Sequence, residues 1–399
     1  MSKVPSIADV DVAGKTVLVR ADLNVPMDNG RVTDTVRIDR FAPTATFLAD
    51  KGARVVIISH FGRPKGIRTP AMSLEPVAKA LAKSLGRNVG FAEECVGEVA
   101  EKAVWAMHDG DILMMENLRF HAAETENSDT FAQRLGVFSD IYVNDAFSCS
   151  HRAHASTYAI TKLLPSYAGL SLKKELDALD AVLGSPKRPI AALVGGAKVS
   201  SKITVLEALI PSMDAIIVGG GMANTFLLAK GFPIGQSLAE PDFVDMANQI
   251  MAVAEKNNCE IVLPVDVVVA EEFAAGAENQ TVAVGQDPAE GMILDVGAAS
   301  IADLTDRLGK LETLLWNGPL GAFEMAPFGE GTFAVAKAAA DLTRQGNLIT
   351  VAGGGDTVAA LNQAGVSDDF SYISTAGGAF LEWLEGKELP GVAALTNHD

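Results

Sequence analysis

Short runs of β-branched and other apolar residues recur along the chain, each followed by a longer stretch whose apolar positions return every three or four residues. A run of about five such residues suits a strand covered on both faces, and the longer stretches suit amphipathic helices. Their alternation predicts βαβ units built around parallel sheets. Strands are expected at Thr16–Arg20, Arg54–Ser59, Asp111–Met115 and Ile141–Asn144, and again at Ile190–Val194, Ala215–Val218, Glu260–Pro264, Thr313–Trp316 and Leu348–Ala352. Between the two sets, Leu172, Leu176 and Leu179 stand at helical spacing within Leu170–Leu183, and Gly184-Ser185-Pro186 closes the segment. The pattern therefore predicts a first domain over residues 1–169, a connecting helix over 170–184 and a second domain over 185–384. No sequence repeat and no low-complexity tract interrupts it.

In open parallel sheets, ligands bind outside the carboxyl ends of the strands, where loops meet helix N-termini. The residues just after each expected strand are thus the first candidates for chemistry. In the first set they are Asp22 and Asn24, His60 and Arg63, Arg119 and His121, then Asn144 and Asp145 with His151 and Arg152 just beyond. In the second they are Gly195-Gly196-Ala197-Lys198, Gly219-Gly220-Gly221, Asp266, Asn317-Gly318-Pro319 and Gly353-Gly354-Gly355-Asp356-Thr357, with Thr375-Ala376-Gly377-Gly378 later. One set offers cationic side chains, the other glycine.

Composition adds limits. The 399 residues are 48% hydrophobic and 21% charged, a globular profile with length for two cores. The net charge of −18 argues against a general nucleic-acid binder. Residues 1–169 carry 19 basic against 20 acidic side chains, so nearly all the excess negative charge lies in the remainder. Met1–Gly14 contains no apolar run of the signal-peptide kind, and no stretch reaches the roughly 18 apolar residues of a membrane span. The three cysteines, Cys95, Cys149 and Cys259, are scattered and form no Cys-x-x-Cys pair. A reducing cytoplasm without disulfides or a zinc site is the expected setting.

A glycine turn feeding a helix brings several backbone N–H groups to a phosphate, and the helix dipole favours the negative charge. A single such turn is equally the geometry of any sharp strand-to-helix connection; several in one domain point to a polyphosphate. None completes the P-loop or the full dinucleotide fingerprint. Lys198 and Lys202 stand four apart at the start of an expected helix, on one face and at the wrong end of its dipole, a placement that an anion between them would relieve. Asp356 suits a helix N-cap, or a Mg²⁺ contact beside phosphate oxygens. Arg37, Arg63, Arg119 and Arg152, with His60, suit a small anion bearing phosphate or carboxylate. The pair His151/His154 lacks a third ligand at metal-site spacing.

Together these segments resemble one family. Arg20-Ala-Asp-Leu-Asn-Val-Pro26, Ser59-His-Phe-Gly-Arg-Pro64, Glu116-Asn-Leu-Arg-Phe-His121, Val143-Asn-Asp-Ala-Phe147 and His151-Arg-Ala-His154 are similar to the substrate-domain motifs of phosphoglycerate kinase. Gly195-Gly-Ala-Lys-Val199, Gly219-Gly-Gly-Met222, Trp316-Asn-Gly-Pro319 with Phe323-Glu324, and Gly353-Gly-Gly-Asp-Thr357 are similar to its nucleotide-domain motifs, in order from about residue 10 to 395. The resemblance implies an α/β fold of two Rossmann-like domains, each a parallel sheet flanked by helices, joined by an interdomain helix with a cleft between them. It implies that residues 385–399 cross back onto the first domain, and that the enzyme works as a monomer.

The implied reaction is reversible phosphoryl transfer from 1,3-bisphosphoglycerate to Mg-ADP, giving 3-phosphoglycerate and Mg-ATP. By the same resemblance, Asp22, Asn24, Arg37, His60, Arg63, Arg119 and Arg152 bind the phosphoglycerate. Gly195, Lys198, Lys202, Gly219, Asn317, Glu324, Gly353, Gly354, Gly355, Asp356 and Thr357 bind the nucleotide, with Asp356 toward Mg²⁺. Arg37, Lys198 and the backbone N–H groups of Gly354, Gly377 and Gly378 are expected to stabilise the transferring group, on closure of the cleft. The acceptor carboxylate is ionised at neutral pH and needs no general base, which agrees with the lack of a Ser-His-Asp or paired-carboxylate pattern. Two positions depart from the family: Ala376 and Ser148 stand where it has glycine. A nicotinamide oxidoreductase lacks its fingerprint here. A non-catalytic descendant would have lost Arg37, Lys198 or Asp356, and another acyl-phosphate kinase would lack the full arginine and histidine set.

Overall fold

The computed structural model describes residues 4–396. They fold as two compact units, one running up to Leu176 and taking in the stretch from Glu388, the other comprising Asp177–Lys387.

The first unit contains β1 (Thr16–Ala21), a two-residue hairpin of β2 (Met27–Asp28) and β3 (Arg31–Val32), then β4 (Arg54–Ile58), β5 (Gly90–Ala92), β6 (Ile112–Met115), β7 (Ile141–Asp145) and β8 (Ser166–Ala168). Six of these form one parallel sheet in the order β5-β6-β4-β1-β7-β8. Every residue of β1 and of β7 is buried, as expected of strands covered on both faces. Helices Val36–Asp50 and Glu75–Leu85 contribute Ile38, Phe41, Leu48, Val77 and Leu81 to the core on one side. From β1 the chain winds to β4 on one side, while β7 lies on the other. That reversal opens a crevice outside the carboxyl ends of β1 and β7.

The second unit contains β9 (Ile190–Gly195), β10 (Ala215–Gly219), β11 (Glu260–Val262), β12 (Asp266–Ala270), β13 (Asn279–Ala283), β14 (Met292–Val296), β15 (Thr313–Asn317), β16 (Ile349–Gly353) and β17 (Tyr372–Ser374). Its main sheet is parallel and ordered β11-β10-β9-β15-β16-β17, the doubly wound order whose reversal falls between β9 and β15. Three strands form a separate antiparallel sheet, β13-β12-β14, around Val267, Val269 and Val282. Asp266 opens β12 instead of following a strand as a ligand. Its carboxylate accepts the N–H groups of Ala299 at 2.9 Å and Ser300 at 2.7 Å, holding the first turn of the helix Ala298–Leu308.

The helix expected between the two strand sets spans Leu170–Leu183. Asp145, the last residue of β7, accepts the N–H of Leu172 at 2.9 Å near its start. Burial pushes the Asp145 carboxyl up to about 6, against the pull of the Thr44 hydroxyl and the N–H groups of Leu172 and Ser171. At the other end of the chain, Gly391 donates its N–H to the Ser150 carbonyl at 2.9 Å and accepts the Asn144 amide at 3.0 Å. Of the segment 385–399 expected on the first domain, residues 397–399 lie outside those described. Cys95, Cys149 and Cys259 are unpaired, and among the described residues no helix is long and apolar enough to cross a membrane.

Candidate active site

At the β1 and β7 ends of the first unit, Asp22 is held by two donors: Arg37 Nη1 and Ser148 Oγ both bond to its Oδ2. Ser148 therefore supplies a hydroxyl that a glycine could not. Asn24 Oδ1 accepts the Gly62 N–H at 2.9 Å, and Arg119 Nη1 donates to the Gly62 carbonyl at 2.7 Å. The loops after β1, β4 and β6 are thereby tied together through one residue's backbone. His60 is buried beside them. Arg63 and Arg152 are exposed, and Arg152 Nε donates to His151 Nε2 at 3.1 Å. His121 turns aside to Glu94, at 3.2 Å, and Asn144 serves the backbone of its own loop, accepting from Ala146 at 3.0 Å.

Beneath this surface is a buried polar network that the strand-end reading passes over. Arg20, 1% exposed, sits next to last in β1. Its Nε donates to Ser156 Oγ at 3.0 Å, and its Nη2 lies 3.0 Å from His60 Nδ1 and 3.5 Å from Cys149 Sγ. Ser156 in turn donates its N–H and its hydroxyl to the buried Glu124, at 3.0 and 2.6 Å. A charged residue within the apolar run Thr16–Ala21 was the available signal, since an unpaired arginine is rarely buried in a strand. Burial, and then the arginines 20, 119 and 37, hold His60 well below the usual imidazole range. Burial and then Arg20 likewise depress Arg119. An anion placed beside these buried and crowded cations would favour their charged forms. Asp22, His60 and Cys149 offer ligand-type atoms within 4.8 Å of one another, but the Arg20 guanidinium already sits against two of them.

In the second unit the ends of β9 and β15 approach so closely that each requires glycine. A Cβ on Gly195 would run into the Pro319 carbonyl oxygen, and one on Gly318, at φ +114°, into the Gly195 carbonyl oxygen. The approach places Asn317 at the reversal. Its Oδ1 accepts from Lys202 Nζ, and its Nδ2 donates to the Gly353 carbonyl at 2.7 Å. Thr357 Oγ1 accepts the Gly318 N–H at 2.7 Å. Burial lowers the Lys202 ammonium, with Asp356 and Glu385 opposing.

Lys198 and Lys202 do not share a helix face. Val199–Ser201 is a 3₁₀ turn, Lys202 is the N-cap residue of the helix Ile203–Leu209, and Lys198 is extended and exposed. Helix Gly355–Ala364 begins behind Gly354 at φ +102°, leaving its first N–H groups and the exposed Asp356 at the strand ends. Helix Gly377–Leu384 does the same after β17. Ala376 takes φ −89°, open to any residue, and its N–H already bonds Ser374 Oγ at 3.2 Å.

A cavity of about 420 Å³ adjoins these turns. Gly196, Gly220 and Gly221 line it together with Leu238, Phe273 and Met292, and Glu324 and Asp356 are also in its lining. Gly219 itself is buried at the end of β10, against Leu320. Asp295 lines the cavity too, 3% exposed, accepting the N–H groups of Val296 at 2.8 Å and Gly331 at 2.9 Å. Burial outweighs these bonds and pushes its carboxyl up to about 7. A carboxyl raised in the folded state binds its proton more tightly there than in the unfolded chain. The stability it contributes is complete below its unfolded value, near 3.8, and is lost as pH rises through about 7. Asp295→Asn is therefore expected to remove a fall of up to about 4 kcal/mol across that window. Urea midpoints of both proteins at a series of pH values check this; parallel pH dependences would refute it.

A family model for phosphoglycerate kinase matches residues 7–387. The phosphoglycerate kinase of Methylorubrum populi is 58% identical over 382 residues, covering 96% of each chain. That of Mesorhizobium japonicum is 55% identical over 396 residues, 99% of this chain and all of the other. Among solved structures, phosphoglycerate kinase from Coxiella burnetii superposes with a TM-score of 0.91 at 41% identity, covering 98% of each chain. The enzyme from Pyrococcus horikoshii does so at 0.80 and 30%, with the same coverage. Joined to a doubly wound unit of glycine turns and another unit that gathers arginines and a histidine at its strand ends, these likenesses assign the chain to the phosphoglycerate kinase family.

Proposed function

We propose that the chain catalyses reversible phosphoryl transfer between 1,3-bisphosphoglycerate and Mg-ADP, through the residues described above. The observation that carries the reading is the pairing of chemistries. One unit gathers Arg37, His60 and Arg119 around Asp22 and Asn24, and the other sets glycine-cradled backbone donors beside Lys202 and Asp356. Phosphoglycerate is bound by the first set, with the exposed Arg63 and Arg152 on the same loops. The nucleotide's base and ribose enter the cavity next to Gly220 and Glu324, and its phosphates meet Lys198, Lys202 and the N–H groups of residues 354–357.

In the ATP-consuming direction, a carboxylate oxygen of 3-phosphoglycerate attacks the γ-phosphorus in line as the bond to the bridging oxygen of ADP breaks. The carboxylate is already ionised, so no side chain has to remove a proton. Arg37, Lys198 and the N–H groups of Gly354, Gly377 and Gly378 stabilise charge on the transferring oxygens. Asp356 is an exposed hard oxygen donor among phosphate-facing amides, which fits Mg²⁺ held mainly by phosphate oxygens. That ion neutralises phosphate charge when bound. Nearly all the chain's net charge of −18 belongs to the half that takes the nucleotide, which weighs against nucleic acid as a partner. A monomeric cytoplasmic enzyme completes the reading.

The test supplies Mg-ATP and 3-phosphoglycerate and follows NADH loss through coupled glyceraldehyde-phosphate dehydrogenase. Turnover is expected with 3-phosphoglycerate and none above background with acetate or carbamate. Absence of turnover, or equal use of acetate, would overturn the assignment.

A further inference from the structure

We propose that Arg20 is a positioning residue that fixes His60 as the tautomer with its proton on Nε2, so that the ring meets the substrate anion as a directed neutral donor. The inference rests on His60 being part of the phosphoglycerate site. Arginine has five donors, no acceptor, and does not lose its proton in proteins. The atom 3.0 Å from Arg20 Nη2 is His60 Nδ1, which must therefore present its lone pair. A proton on Nδ1 would set two N–H groups head to head beside a second positive charge. The single ring proton is left on Nε2.

Arg20 cannot swing away to relieve such a conflict. Its Nε is committed to Ser156 Oγ and its Nη1 to the Ala21 carbonyl, and the side chain is fully enclosed. Ser156 accepts from Arg20 while donating its one hydroxyl proton to Glu124, so the chain Glu124–Ser156–Arg20–His60 runs in one direction only. The buried carboxylate of Glu124 balances the guanidinium. The groups facing His60 are Arg20, Arg37 and Arg119 with His154, the Asp22 carboxylate, which has an oxygen within 4.8 Å of a ring nitrogen, and the Cys149 thiol at 3.8 Å. Arginines dominate this surround, which disfavours a charged ring. A protonated His60 would add another cation to a crowded site and would make substrate affinity titrate near neutral pH; a neutral donor avoids both.

The decisive measurement is long-range ¹H–¹⁵N correlation spectroscopy on the full-length, ¹⁵N-histidine-labelled protein without ligands. The His60 signals are assigned by their absence from His60→Gln. Expected are a pyridine-type Nδ1 and a protonated Nε2 that stay unchanged from about pH 5 to about pH 8. A proton on Nδ1, or a ring doubly protonated within that range, overturns the proposal and leaves the site assignment standing.

Arg20→Met supplies the functional arm. KM for 3-phosphoglycerate is expected to rise about tenfold, the worth of one hydrogen bond to a charged group, and to become pH-dependent between about pH 5 and about pH 8. A KM that stays flat with pH in Arg20→Met overturns the positioning role. A normal KM in His60→Gln would instead count against the site assignment itself. If Arg20→Met does not fold, the spectrum of the wild-type protein still decides.

Discussion

Lys198→Ala is expected to lower kcat by about 100-fold, with a smaller change in KM for ATP. The scale is that of losing one donor aimed at charge that develops only in the transition state. The two lysines after β9 are set up differently. Lys202 is half-buried and bonded to Asn317, so its position is fixed before any ligand arrives. Lys198 is exposed on extended backbone, and the turn after it is pinned from outside, where Ser200 donates its N–H and hydroxyl to Glu240 at 2.9 and 2.6 Å. A cation on a long stem above a fixed turn can follow a phosphoryl group as it moves. Such a cation is expected to contribute more to the transition state than to the bound nucleotide. Steady-state kinetics with ATP and 3-phosphoglycerate varied separately would show the split. A variant with near-normal kcat would remove Lys198 from the chemistry.

Gly318→Ala is expected to abolish most activity, by more than about 100-fold, and to destabilise the protein by about 3 kcal/mol, because a methyl group would enter a position already occupied by backbone. Gly318 stands at φ +114° with the Gly195 carbonyl where its Cβ would be. Its N–H serves Thr357 and its carbonyl accepts from Trp316 Nε1 at 2.8 Å, so the peptide units on both sides of it are held and neither can turn without losing a bond. Separating β15 from β9 would carry Asn317 off Lys202 and Gly353 together. Turnover measured with the urea midpoint distinguishes this from simple unfolding. Full activity with an unchanged midpoint would show that the close approach is dispensable.

Much of this was legible in the sequence because parallel strands covered on both faces must be apolar throughout, and such runs stand out. The expected strands all occur, with ends moved by a residue or two. The strands β5, β8 and β17 at sheet edges are three residues each, too short to register as runs. The antiparallel sheet escapes the reading because β12 follows β11 after three residues, so Asp266, which opens β12, reads as the residue behind the single strand Glu260–Pro264. Topology alone brings Asp22, Asn24, His60 and Arg119 to neighbouring strand ends, where the structure has them together. What topology cannot show is which neighbour a side chain meets. Arg20 points under the site and not out of it, and the lysine pair was misplaced because a 3₁₀ turn, not an α-helix, follows Lys198. Ser148 shows its part only in the fold, through its hydroxyl on Asp22.

The bond between Asn144 and Gly391 spans 247 positions and is buried. A ribosome therefore releases the whole of the second unit before the loop after β7 can receive its last partner. The first unit can collapse early, but the strand end that carries Asp145 and the Ser148 loop settles only once the final stretch has emerged. Long-range closures of this kind come late and slowly. Until then the nascent chain holds a nearly finished sheet in which Asn144, near the end of β7, still lacks its last partner.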